Sequence, residues 1–67
     1  MNKFAERLKE LRKDLNITQD QLAAETKISQ AAISSYENGL QSPTIDVVII
    51  LCKYFKVSAD YMIGLSD

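Results

Sequence analysis

Hydrogen-bonding residues cut this chain into short pieces, and that punctuation limits its fold more than any other feature. Thr18, Ser29, Thr44 and Ser58 each stand before a segment whose apolar residues recur at helical spacing. A short side-chain oxygen at such a position accepts a bond from a free N–H of the first helical turn. No stretch sustains the two-residue alternation of a strand. In "NKFAERLKELRKDL", Phe4, Leu8, Leu11 and Leu15 form one stripe, Asn2 can cap its start, and Asn16 readily takes the left-handed conformation that ends it. Thr18 with Gln21 three residues on is a capping box opening "QDQLAAET", where Leu22 and Ala23 are the inward positions. "KIS" is the next turn, with Ile28 inward and Ser29 capping a third helix from Gln30 to Glu37. That helix stops at Asn38-Gly39. After Pro43, Thr44 caps "IDVVIILCKYF", expected to bury Ile45, Val48, Leu51, Cys52 and Phe55. A last turn, "ADYMI", ends at Gly64. These pieces predict an all-α fold: one compact five-helix bundle forming a single domain over residues 1–67.

At 67 residues the chain is near the lower size limit for folding without staples, and one core of this size supplies about 3–5 kcal/mol. No signal peptide is evident, because Lys3, Glu6, Arg7 and Lys9 interrupt the first residues. The longest apolar run, residues 47–52, is far too short to span a bilayer, so no membrane partner is expected. A lone cysteine cannot form an internal disulfide, and Cys52 reads as a small buried hydrophobe; the fit is to a reducing cytoplasm. The chain has no histidine, no metal-ligand spacing and no glycine-rich phosphate loop, so neither an enzyme nor a metal or other cofactor is expected. The net charge of −1 argues mildly against a nucleic-acid binder, yet positive charge is concentrated at the start. Residues 1–13 hold Lys3, Arg7, Lys9, Arg12 and Lys13 against Glu6 and Glu10.

Two short helices joined by a three- or four-residue turn, the second with an exposed polar side, fit a DNA-binding helix-turn-helix. A steep crossing needs a small residue at the contact, supplied by Ala23, and a branched one beneath the second helix, supplied by Ile33. The exposed side must be short or amide-bearing, because the major groove is only about 12 Å wide. Gln30, Ala31, Ser34 and Ser35 meet that need: a glutamine amide pairs with adenine N6 and N7, a hydroxyl with several base edges, and a methyl with thymine.

The pieces "RLKELR", "TQDQLA", "IS-SYENG" and "SPT", with "VS" before the last helix, together resemble the phage-repressor and Cro-type helix-turn-helix family, also called Xre-like. The resemblance covers nearly the whole chain and implies a lambda-repressor-like DNA-binding domain. It implies base reading by Gln30, Ala31, Ser34 and Ser35. It also implies phosphate contacts by Thr18, Gln19 and Ser29, and by backbone donors at Asn38 and Gly39. Arg12 and Glu37 match a pair that joins the first helix to the end of the recognition helix. The implied function is a sequence-specific regulator of transcription, a repressor binding double-stranded DNA at a palindromic operator as a homodimer.

This chain departs from the pattern twice. Lys27 stands where the family often has glycine; either it accepts strain of about 1 kcal/mol or the turn has another shape. Leu40 stands where relatives often carry a basic residue, and residues 29–42 contain no lysine or arginine, which predicts few ionic phosphate contacts. Val47, Ile50 and Tyr54 form a second apolar line on the fourth helix, a candidate dimer contact unless the fifth helix covers it. The alternative function is a protein-interaction module or antitoxin-type regulator on the same scaffold.

Overall fold

The computed structural model describes residues 3–66, so the expected Asn2 cap lies outside them. Among the described residues there are five helices and no strand: α1 (Lys3–Asp14), α2 (Gln19–Thr26), α3 (Gln30–Glu37), α4 (Ile45–Phe55) and α5 (Ala59–Ile63). Each start after α1 is held by its expected cap. The Thr18 hydroxyl accepts from Gln21 N–H at 3.0 Å while the Gln21 side chain accepts from Thr18 N–H at 2.8 Å, completing the capping box. Ser29, Thr44 and Ser58 accept from Ala32, Val47 and Tyr61 at 3.1, 3.2 and 3.1 Å. Each such bond is worth about 1 kcal/mol, a large share of what a domain this small has in hand.

The helix ends use left-handed residues, three of which are not glycine: Asn16 (φ 57°), Lys27 (φ 65°) and Lys56 (φ 59°). Lys27 therefore takes the first of its two alternatives. It adopts the glycine-like conformation, and its N–H donates to the Ala23 carbonyl at 2.9 Å. Gly39 (φ 72°) and Gly64 (φ 89°) end the third and fifth helices. At Gly64 the backbone lies so close to α1 that a Cβ would meet Lys3 Cβ at 2.6 Å, so this approach needs glycine.

Leu8, Leu22, Ile33, Leu51 and Met62, one from each helix, are fully sealed. Phe4, Ile28 and Tyr36 complete the core, with the Phe4 ring edge-on to Tyr36 at 5.8 Å. α3 packs on both α1 and α2, while α5 joins α1 to α4. Removing any of the sealed leucines would cost about 2–5 kcal/mol, comparable to the whole net stability.

Four apolar residues depart from the expected pattern. Leu15 is exposed because α1 has already ended and the chain is turning at Asn16. Ile45 is 75% exposed rather than buried, since it opens α4 where the helix has not yet reached the core. Of the expected second line, Val47 and Tyr54 rest against the core, and Tyr54 meets the Phe55 ring edge-on at 5.0 Å. Only Ile50 is exposed, and the open apolar face of α4 is made of Ile45, Ile49 and Ile50. Arg7, which the sequence shows only as one of the positive charges of residues 1–13, closes the fold. Its Nη1 donates to the carbonyls of Tyr61 and Ser66, and its guanidinium lies over the Tyr61 ring at 4.1 Å.

Candidate nucleic-acid interface

The turn at residues 27–29 sets α2 and α3 against each other. Ile28 is buried, Ile33 lies sealed on the inner side of α3, and Ala23 is half-buried against the core. Ile33 and Tyr36 turn inward, which leaves Gln30 and Ala31 exposed and Ser34 and Ser35 half-exposed along one side of α3. This ridge carries no charge. Its amide, methyl and hydroxyl groups are the types that meet base edges.

Gln30 is not free to wander. Its Nε2 donates to Gln19 Oε1 at 2.7 Å, and Gln19 Nε2 in turn donates to Glu37 Oε1 at 3.1 Å. Glu37 is gripped from the far side by Arg12, whose Nε reaches Oε2 at 2.6 Å and whose Nη2 reaches Oε1 at 2.9 Å. Arg12 Nη1 also donates to the Ile17 carbonyl at 2.8 Å. The Glu37 side chain is 1% exposed and that of Arg12 13%. Burial opposes the charged carboxylate, but bonds from Arg12 and Gln19, with the charges of Arg12 and Lys9, outweigh it and hold Glu37 below the usual carboxylate range. The hydrogen bond to Glu37 raises the Arg12 guanidinium further, against the cost of its burial. The pair is therefore fully ionised at neutral pH and fixes how α3 lies on α1.

At the start of α2, the N–H groups of Gln19 and Asp20 lack helical partners, as the first residues of any helix do. The Thr18 and Ser29 hydroxyls accept a capping bond and keep their own hydrogens for an outside acceptor. Exposed Asp20 sits in the same first turn of α2 and offsets the positive helix end there. Gln19 is already engaged by Glu37 and Gln30, with one amide hydrogen left. The expected backbone donors at Asn38 and Gly39 are not available. Asn38 N–H donates to Ser34 O at 3.0 Å and Gly39 N–H to Tyr36 O at 3.2 Å, because the helix end uses them to satisfy its own carbonyls. The Asn38 amide bonds back to Ser34 O at 2.9 Å. Sequence reasoning missed Thr26, which is buried and donates to Leu22 O at 2.7 Å; its place in the last turn of α2 was the available signal.

A helix-turn-helix family model matches residues 8–62. The chain belongs to the phage-repressor, Cro and Xre type of that family. It is 36% identical over 64 residues to YobD of Bacillus subtilis (strain 168), an uncharacterized HTH-type transcriptional regulator, covering 96% of this chain and 57% of that protein. It is 37% identical over 57 residues to the antitoxin PezA of Streptococcus pneumoniae serotype 4, covering 85% of this chain and 36% of PezA. This chain thus spans little more than half of the one relative and about a third of the other. Among solved structures it is similar to the P22 c2 repressor protein bound to a synthetic operator, with a TM-score of 0.88 and 29% identity over 98% of this chain and all of that one. Among the described residues no helix is long and apolar enough to cross a membrane, and no group of His, Cys, Asp and Glu could hold a metal ion.

Proposed function

We propose that this chain is a sequence-specific double-stranded DNA-binding regulator of transcription, a repressor, that reads the major groove with α3 and acts in the cytoplasm. The observation that carries the proposal is Gln30. It stands exposed at the start of α3, and its amide is held by Gln19, which is anchored to a buried ion pair. Holding the amide in advance lowers the ordering cost of a bidentate contact to adenine, worth about 1–3 kcal/mol of discrimination. Ala31, Ser34 and Ser35 extend the reading surface, and Thr18, Gln19 and Ser29 take phosphates. A palindromic operator is read by a homodimer whose half-sites lie about 34 Å apart. Selecting bound sequences from a random DNA pool tests the reading: it requires a symmetric site, and Gln30→Ala with Ser35→Ala must abolish retention of it.

A second reading, a protein-interaction module of the antitoxin type, is favoured by the likeness to PezA and by exposed apolar side chains at Leu40, Ile45 and Ile49. Under it the same double substitution leaves partner binding intact and no operator emerges from the pool.

A further inference from the structure

In the Arg12–Glu37–Gln19–Gln30 chain the hydrogen-bonding direction is fixed by chemistry at Arg12, which only donates, and at Glu37, the fixed member that the two glutamines meet. An ionised carboxylate only accepts, whereas a glutamine amide can turn over and exchange its donor and acceptor ends. Glu37 is sealed in the fold and receives three bonds, two from Arg12 and one from Gln19. Gln19 must therefore turn its NH2 toward Glu37. Its Oε1 then faces α3, and the only end of Gln30 that can meet it is NH2, as found at 2.7 Å. One hydrogen of that NH2 is used, so Gln30 offers outward a single N–H beside a free Oε1.

We infer that Glu37 is a positioning residue for base recognition: it sets the donor–acceptor order of Gln19, and through Gln19 that of Gln30, so that Gln30 selects a base edge with an amino donor beside an acceptor. That edge is adenine's N6 and N7; the reversed amide would suit thymine O4 or guanine O6 instead. This inference rests on the DNA-reading function proposed above and adds that a buried acid on α3 decides one letter of the operator.

The experiment uses operator selection from random DNA. Gln30→Ala first locates the base pair that Gln30 reads, as the position whose preference it erases. Two variants then break the relay. Arg12→Met with Glu37→Leu replaces the buried pair by apolar groups of similar size, a change cores commonly tolerate. Gln19→Leu removes the middle link while leaving both Arg12–Glu37 bonds in place, and decides the matter should the first variant fail to fold by circular dichroism. Its lost phosphate contact weakens binding to every sequence alike and so leaves the base preferences to be read. The expected result is that an adenine preference of about tenfold at that one position falls below about threefold, while the other positions keep theirs. Full adenine preference in a folded relay variant overturns the inference and leaves the DNA-reading function standing. Loss of preference at every position alike also overturns it, because that is what general disordering of α3 produces, and so does a Gln30→Ala that erases no position. Failure of the parent protein to select any sequence sinks the functional proposal itself.

Discussion

Arg12→Met and Glu37→Leu break the same ion pair, yet they are expected to differ in size and in pH dependence. Removing one partner of a buried pair costs about 3–5 kcal/mol, because the other is left charged and unpaired. Arg12→Met strands a carboxylate whose side chain is 1% exposed, with Gln19 as its remaining donor. Glu37→Leu strands a guanidinium that is 13% exposed, keeps its bond to the Ile17 carbonyl and has a long stem by which to reach water. The first loss belongs at the upper end of the range and the second at the lower end or beneath it. Against a net stability of about 3–5 kcal/mol, Arg12→Met leaves the chain largely unfolded at pH 7. The pH signs are opposite in the parent and in Arg12→Met, whereas Glu37→Leu removes the titrating group altogether. In the parent, Glu37 lies below the usual carboxylate range, so its contribution is present above about pH 4 and is lost as pH falls through the lowered value. Without Arg12, burial dominates and raises Glu37 above its unfolded value. The carboxyl is then best tolerated protonated, and stability is lost as pH rises. Urea unfolding followed by far-ultraviolet circular dichroism from pH 3 to 8 reads both effects. An Arg12→Met protein as stable at pH 7 as Glu37→Leu, or one that weakens on acidification like the parent, would refute the reasoning.

Gly64→Ala is expected to lose roughly 2 kcal/mol or more, since a Cβ there meets Lys3 Cβ at 2.6 Å and the φ of 89° is itself unfavourable; a melting curve unchanged from the parent contradicts this. Salt should weaken operator binding only gently, because Arg7 and Arg12 are committed inside the fold and residues 29–42 hold no cation; a log–log slope steeper than about −6 would be too steep. Ile50→Glu, on the open face of α4, should lower dimer content in sedimentation without unfolding the chain; an equally folded and equally dimeric variant removes this face from consideration.

The helix starts were legible because a cap is local chemistry. Thr18 meets its partner three residues away, and Ser29, Thr44 and Ser58 repeat the pattern. The phase of α4 was not legible. Its sequence is apolar nearly all round, so periodicity cannot say which of Ile45, Ile49 and Ile50 faces out; the packing of α2 and α5 against it decides. The polar ridge of α3 could be read because Ile33 and Tyr36 mark the opposite side. What holds that ridge could not, since Gln19 meets Gln30 and Glu37 across 11 and 18 residues of chain, and neither spacing is a local pattern. Arg7 shows the same limit: its partners lie 54 and 59 residues away, and in the sequence it looks like any surface cation. The backbone donors assigned to Asn38 and Gly39 are spent for a local reason: Asn38 N–H continues the helical ladder to Ser34, and Gly39 N–H turns back onto Tyr36.

The contacts of Arg7 have a topological outcome. One guanidinium grips both α5 and Ser66 from the second turn of the first helix, so the described chain is buckled into a loop. The two ends of the described chain thus meet at one side chain, on which the seating of residues 61 and 66 against α1 depends.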